Sequence, residues 1–166
     1  MIFKTDRLEL SEAVPDDKDF FFKLLNSPNW IEYIGDRKIK SLFDAEKYIR
    51  ESLINSYKCN GFGLYKISLK ESKLPIGICG LLKRPHLEHP DIGYAILPEY
   101  EKKGYAYEAA KGTMIYAETI LRIQKILAIT APKNKSSIKV LEKIKLKFVK
   151  RIKFKEDEEE LLLYSN

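Results

Sequence analysis

The order of strand-like and helix-like segments constrains the fold of this chain more than any other feature. A short alternating run at 7–10 precedes two helical patterns, which begin near Pro15 and near Ser41 or Asp44. The runs GFGLYKISL and PIGICGLL then predict an antiparallel hairpin. A third strand is predicted for HPDIGYAIL, where Pro98 stops the pattern.

The second half of the chain alternates between the two patterns. Small and apolar residues at helical spacing predict a helix over 104–121, and KILAIT predicts a buried strand. A further helix begins at Asn134 or Ser136, since either side chain could cap it. The runs KFVKRIKF and ELLLY predict two final strands. This order predicts an α+β fold in one domain spanning 1–166, and it excludes a doubly wound fold.

Composition excludes several classes of protein. At 45% hydrophobic and 33% charged residues, the chain has the composition of a soluble globular protein. No apolar run approaches the roughly 18 residues of a membrane span, and the start MIFKTDRLEL lacks a signal-peptide core. Cys59 and Cys79 have no His or Cys at metal-ligand spacing, which favours two reduced thiols. We therefore expect a cytoplasmic protein without a metal and without a membrane partner.

The net charge of +6 is unevenly distributed. Between Arg122 and Lys155 the only acid is Glu142, and an acidic run follows at 156–160. A solvated lysine-rich face explains this pattern, and so does attraction of an anionic ligand, either a phosphorylated cofactor or nucleic acid. Nucleic acid is not the expected partner, because no aromatic–basic interleave or helix-turn-helix pattern accompanies the charge.

The join between the third strand and the next helix carries a candidate anion site. Pro98 ends the strand, and Gly104 stands where the helix begins. A glycine at a helix start lets backbone N–H groups converge on an anion, and the helix dipole adds positive potential. Lys102 and Lys103 would add charge, and the small side chain of Ala106 would allow a phosphate to approach. A plain connection with two solvated lysines is the alternative. Neither a Walker A motif nor GxGxxG is present.

At this point the sequence resembles a known family. The segment IGICGLLKRPHLEHPDIGYAILPEYEKKGYAYEAAKGTMIYA, followed by KILAITAPKNKSSIKVLEKIKLKF, is similar to the GNAT N-acetyltransferase superfamily, and within it to the ribosomal-protein N-terminal acetyltransferase-like branch. The family pattern R/Q-x-x-G-x-G/A falls on 101–106, where Gly104 and Ala106 match and Glu101 departs. The resemblance implies a mixed, mostly antiparallel sheet with a splayed central strand pair flanked by helices.

The resemblance also implies acetyl transfer from acetyl-CoA straight to a primary amine. The cofactor contacts it implies include the phosphate loop and the PxNxxS phrase, in which Asn134 would lie beside the pantetheine arm and Ser137 could reach the thioester. The oxyanion would be met by a backbone N–H around 94–97. The implied cofactor-binding residues are Ile96, Leu97, Lys102, Lys103, Gly104, Tyr105, Ala106, Asn134 and Ser137.

The resemblance defines the general base and the general acid less clearly than the cofactor contacts. His86, Glu88, His89 and Asp91 cluster before or on the third strand, and Asp91 is the preferred base. A polar turn with a water chain in place of a side-chain base is the alternative.

For the acid, many relatives carry a glycine and then an aromatic residue after VLEK, where this chain has Lys145 and Leu146. Lys145 must then take a left-handed conformation at some cost, or the helix must end differently. Leu146 cannot donate a proton, so Ser137 is the remaining candidate, unless it is an ordinary first-turn serine.

Aromatic residues are the predicted contacts for the amine that would receive the acetyl group. Trp30 and Tyr33 are expected to border the acceptor cleft together with Tyr94, although a core or strand role explains each of them as well. The acceptor could be the α-amine of a protein N-terminus or a small-molecule amine. A non-catalytic module that senses CoA or binds RNA is the alternative function. A monomer or a homodimer is compatible with the sequence.

Overall fold

The computed structural model describes residues 1–155 and 158–166. The predicted acidic run at 156–160 therefore lies partly outside the described residues. Eight strands form one sheet, and they are β1 (Phe3–Lys4), β2 (Leu8–Ser11), β3 (Leu64–Leu69), β4 (Pro75–Leu82), β5 (Asp91–Ile96), β6 (Leu127–Thr130), β7 (Lys147–Ile152) and β8 (Leu161–Ser165). The α-helices are α1 (Lys18–Leu25), α2 (Pro28–Tyr33), α3 (Leu42–Tyr48), α4 (Asn55–Asn60), α5 (Tyr105–Thr119) and α6 (Lys135–Lys143).

The sheet has the order β1-β2-β3-β4-β5-β6-β8-β7. Every neighbouring pair is antiparallel except β5 and β6, which are parallel and joined by the crossover helix α5. This mixed sheet confirms the predicted α+β fold. Strand β1, near one end of the chain, and strand β8, near the other, belong to the same sheet.

Two elements escaped the sequence patterns because they are short. Strand β1 has 2 residues, and α2 has 6 residues and begins at Pro28. The second predicted helix is confirmed: Ser41 caps it by accepting a hydrogen bond from the Asp44 amide, and a π-helical segment, Ile49–Ile54, connects α3 to α4.

The helices cover both faces of the sheet with two hydrophobic clusters. Helices α5 and α6 lie on one face, and α1 to α3 lie on the other. Ala109, Ala110 and Ala117 are fully buried against the sheet, so the small residues of α5 bring this helix close to the strands. Among the described residues, no helix is long and apolar enough to cross a membrane.

Helix α6 ends with a left-handed residue at Lys145, the position where many relatives have glycine. Lys145 has φ 72°, in the left-handed region. The amide of Lys145 donates to the carbonyl of Glu142 at 3.0 Å, and the amide of Leu146 donates to that of Leu141 at 3.0 Å. These two bonds form a Schellman motif, closed by the buried side chains of Leu141 and Leu146. Of the two alternatives that the sequence left open, the left-handed Lys145 is the one observed.

Strands β5 and β6 form a fork. Their pairing consists of the single register pair Asp91 and Leu127, where the Leu127 amide donates to the Pro90 carbonyl at 2.9 Å. Beyond this pair no ladder joins the two strands within the described residues, so their carboxyl ends diverge. The splayed strand pair that the resemblance implied is present.

Candidate functional site

The phosphate loop, which we define as residues 98–104, leads from β5 into α5. A 3-10 turn at Pro98–Tyr100 opens it, and two residues then take left-handed conformations, Lys102 with φ 59° and Gly104 with φ 83°. Gly104 is the N-cap of the 15-residue helix α5. The positive end of this helix dipole therefore lies at the mouth of the β5–β6 fork.

The amides at the start of α5 have no acceptor in the described part of the chain. No described group accepts a hydrogen bond from the amides of Gly104 to Tyr107, and no side chain caps α5. Helix α6 differs, because the Asn134 carboxamide accepts from the Ser137 amide at 3.1 Å and caps it. Unsatisfied N–H groups at a helix start suit a phosphate, so the loop fits the pyrophosphate of a CoA ester. Lys102, Lys103, Gly104, Tyr105 and Ala106, all predicted as cofactor contacts, lie together here.

Glu101, which departs from the family pattern, forms a hydrogen bond with a residue of α2. Its carboxylate accepts a hydrogen bond from Asn29 Nδ2 at 2.6 Å. Asn29 belongs to α2, so this contact ties the phosphate loop to the helix that carries Trp30. The sequence held no signal for this pair, because the two residues are 72 positions apart.

The edge of β5 that faces the fork carries free amides. The Leu97 amide donates to the Ile76 carbonyl of β4 at 2.8 Å, and hydrogen bonds alternate along an antiparallel pair. The amides of Tyr94 and Ile96 consequently point towards β6, in the open part of the fork. The amide of Leu97 is used in this bond to Ile76. Its side chain is buried against α1 to α3. The predicted donor region of 94–97 thus narrows to two residues.

Tyr94 lies on the α5–α6 face, next to Ser137. It pairs with Cys79 in the sheet, and both residues belong to the cluster under α5. Its hydroxyl is 3.1 Å from the Ser137 hydroxyl and 3.1 Å from the Ser137 carbonyl oxygen. Burial raises the pKa of Tyr94, so the phenol stays protonated at neutral pH. Tyr94 therefore joins β5 to the first turn of α6 on the opposite face from Trp30.

Asp91 sits at the closed end of the fork. It is 1% exposed, and both of its carboxylate oxygens accept from Arg84 Nε at 3.0 Å. Burial raises the pKa of Asp91, and the Arg84 guanidinium opposes that rise. Asp91 pairs with Leu82, which packs on the α1–α3 face, so the carboxylate lies on the same face as Trp30.

Trp30 and Tyr33, which are predicted to border the cleft for the amine substrate, lie on α2. Trp30 is 3% exposed, and its indole N–H is buried without an acceptor in the described part of the chain. Tyr33 is half-buried at the end of the same helix. The alternative bases His86 and Glu88 are exposed. The His86 ring is tilted against the Phe154 ring, with 5.5 Å between the ring centroids. The structure thus groups Trp30, Tyr33 and Asp91 on one face, and Tyr94 and Ser137 on the other.

The fork and the uncapped helix start at its mouth together form a cleft whose chemistry suits a phosphorylated ligand. The family model described as Acetyltransferase (GNAT) domain matches residues 7–147. The chain therefore belongs to the GNAT acetyltransferase family and is an acyltransferase. GNAT acetyltransferases use acetyl-CoA as co-substrate.

One relative is itself named an N-acetyltransferase, and two solved structures share the fold. The chain is 26% identical over 145 residues to the uncharacterized N-acetyltransferase YoaA of Bacillus subtilis (strain 168), covering 86% of this chain and 81% of that protein. Its fold is similar to an acetyltransferase (GNAT family) from Bacillus anthracis, with a TM-score of 0.83 at 22% identity over 100% of this chain and 98% of the other. It is also similar to RimL, a ribosomal L7/L12 alpha-N-protein acetyltransferase in complex with coenzyme A, with a TM-score of 0.83 at 16% identity over 99% and 96% of the two chains.

Proposed function

We propose that this protein is an N-acetyltransferase in which a primary amine attacks acetyl-CoA directly while both are bound. The observation that carries the proposal is the fork of β5 and β6, with the free amides of Tyr94 and Ile96 along it and the uncapped start of α5 at its mouth. A direct transfer needs both reactants in the same gap, and the diverging ends of β5 and β6 would provide it.

The residues of the mouth would hold acetyl-CoA, which supplies an acetyl group already activated as a thioester. The amides of 102–107 would bind its phosphates, and Lys102 and Lys103 would add mobile positive charge. The free carboxamide N–H groups of Asn134 would lie beside the arm, because its oxygen is used to cap α6. Ile96 would offer its amide and carbonyl along the same path.

Two features of the fork would lower the barrier to attack. Negative charge that develops on the acetyl oxygen would be met by the amide of Tyr94 or Ile96, which is held rigidly by the β4–β5 ladder. Ser137 would donate its proton to the departing sulfur, and Tyr94 would hold the Ser137 hydroxyl in place. Leu146 is buried and has no proton to give.

Asp91 remains the proposed base for the amine. Its location at the closed end of the fork, on the face of Trp30, supports this role. The ion pair with Arg84 keeps the carboxylate charged and ready to accept a proton, while burial strengthens its basicity. A water chain that leads past Asp91 is the competing route.

The acceptor would enter from the face of α1 to α3, past Trp30 and Tyr33. The α-amine of a protein N-terminus is our first choice, because the fold is shared with RimL, which carries that activity. We propose a cytoplasmic enzyme, and small-molecule amines form the second class of acceptors to be tested.

One assay tests the proposal. Release of CoA thiol would be followed with acetyl-CoA, a panel of N-terminal peptides and a panel of small amines. We expect acceptor-dependent thiol release that disappears in a folded Gly104→Val variant. Tight binding of acetyl-CoA without thiol release for any amine would overturn the catalytic role and indicate a CoA sensor.

A further inference from the structure

Arg7, near the start of the sequence, contacts the phosphate loop. It lies in the tight turn between β1 and β2, and its guanidinium carbon lies 4.5 Å from the centroid of the Tyr105 ring. Nη1 donates to the Lys103 carbonyl at 3.1 Å, and Nε donates to Glu108 Oε2 at 2.6 Å. A side chain held at three points by the loop and the first turn of α5 has little freedom to move.

Glu108 is the anchor of this arrangement. Its Oε1 accepts from the Thr5 hydroxyl at 2.6 Å and from the Arg7 amide at 2.8 Å, while Oε2 accepts from the Arg7 side chain. Burial alone would raise the pKa of Glu108, but these hydrogen bonds and the Arg7 charge hold it below its ordinary value. The β1–β2 turn is thereby fastened to the start of α5.

The remaining donors of Arg7 are directed at the loop. A Cβ atom built on Gly104 would lie 3.4 Å from Arg7 Nη2, so this nitrogen is adjacent to the N-cap of α5. Nη2 donates to no acceptor within 1–155 and 158–166. Glu101 is tied to Asn29, and the side chains of Lys102 and Lys103 are exposed. Lys23 pairs with Glu99 of the loop, and Lys103 Nζ lies over the Tyr100 ring, 5.4 Å from its centroid. Arg7 differs from both because its guanidinium is held next to the N-cap of α5.

We propose that Arg7 is a positioning residue for the phosphate loop and provides its fixed positive charge, compensating for the glutamate at position 101. It would hold the left-handed turn through the Lys103 carbonyl and place the guanidinium beside the bound phosphates. This inference rests on the proposed binding of acetyl-CoA at the same loop, and it adds a residue from outside that segment of the sequence.

The test compares acetyl-CoA with a ligand that lacks its adenosine nucleotide and all of its phosphates. Calorimetry would measure binding of acetyl-CoA and of acetyl-pantetheine, which lacks the phosphates, to wild type, Arg7→Gln and Arg7→Lys. Arg50→Gln is the matched control, since Arg50 forms an ion pair with Glu46 on a surface helix away from the loop. Thermal unfolding would be recorded for every variant.

We expect Arg7→Gln to weaken acetyl-CoA binding by roughly tenfold, the size of one charge-assisted hydrogen bond, with Arg7→Lys intermediate. Acetyl-pantetheine binding should be the same in all four proteins. In steady state the loss should appear in KM for acetyl-CoA and leave KM for the acceptor unchanged. A folded Arg7→Gln protein that binds acetyl-CoA as wild type does would overturn this inference alone, whereas wild type that binds no acetyl-CoA would overturn the proposed function. If Arg7→Gln does not fold, Arg7→Lys with unchanged affinity for both ligands contradicts a role for the guanidinium fork.

Discussion

The hydroxyl of Tyr94 lies 3.1 Å from the hydroxyl of Ser137, and this contact bridges the gap where β5 and β6 no longer pair. One residue belongs to a strand and the other to the first turn of α6. Tyr94 keeps its single proton, which either the carbonyl oxygen or the hydroxyl of Ser137 can accept. When the hydroxyl accepts it, the serine proton is free to face the fork. The pair therefore couples the geometry of the fork to its chemistry.

Removal of the serine hydroxyl tests the proposed acid. Ser137→Ala should lower kcat by roughly a hundredfold, within the range of a general acid, while Tyr94→Phe should cost less because it only frees the serine to rotate. Steady-state kinetics with the best acceptor would measure both. Ser136→Ala is the control, since Ser136 is exposed on the same turn. Equal rates for Ser136→Ala and Ser137→Ala would show that Ser137 is not the acid.

Substitution of Gly104 tests the phosphate loop. Gly104→Ala puts a side chain on a left-handed residue, at a cost of about 1–2 kcal/mol in stability, and brings a Cβ against Arg7. We expect acetyl-CoA affinity to fall about tenfold as the loop shifts. Gly61→Ala carries the same backbone cost, with φ 74° and open space around the Cβ, and should leave affinity unchanged. Equal loss of affinity in the two variants would mean that only general destabilisation is at work.

The pH dependence of the rate tests Asp91. A base must be deprotonated, so kcat/KM should rise as the pH passes upward through the pKa of Asp91, which burial raises above its ordinary value of 3.8. Asp91→Asn should remove this acidic limb and lower the rate at least a hundredfold. Asp36→Asn, which changes an ion pair with Lys38, is the control. A retained limb in Asp91→Asn would assign the proton to a water chain instead.

The stability of the protein at acidic pH reports on Glu108. Its pKa is lowered in the folded state, so its carboxylate stabilises the fold above the ordinary value of 4.5, and this contribution disappears as the pH falls through the lowered pKa. Unfolding free energies measured across this window should decline less steeply in Glu108→Gln. The exposed Glu118, changed to Gln, should reproduce the wild-type curve. Identical slopes in all three proteins would exclude the proposed anchoring role.

The end of α6 offers a stabilising substitution. Lys145→Gly relieves the left-handed strain of about 1–2 kcal/mol and increases the entropy of the unfolded chain by less, so a net gain of roughly 0.5–1 kcal/mol is expected. Chemical denaturation would measure it. Lys143→Gly, inside the last turn of the helix, should instead destabilise by about 1 kcal/mol. A loss of stability in Lys145→Gly would contradict the account of this helix end.

Much of the fold could be predicted from local patterns, and the errors have local causes. The hairpin of β3 and β4, the helix after Gly104 and the cap at Asn134 follow from periodicity and from side chains that act within a few residues. Strand β1 and helix α2 were missed because 2 and 6 residues are too few to show a period. The phosphate loop belongs to the predictable part, since its glycine and its helix start are adjacent in the chain.

The side-chain pairs of the site could not be predicted from local patterns. Arg7 and Glu108 are 101 positions apart, Asn29 and Glu101 are 72 apart, and Tyr94 and Ser137 are 43 apart. Which residues meet over such separations depends on strand register, sheet twist and helix packing, and no local pattern records these. The sequence by itself determined the order of elements, the family and the loop at Gly104, because short-range backbone preferences act there. Only the tertiary structure decided that Tyr94 faces Ser137, that Glu101 turns to Asn29 and that Arg7 reaches the loop.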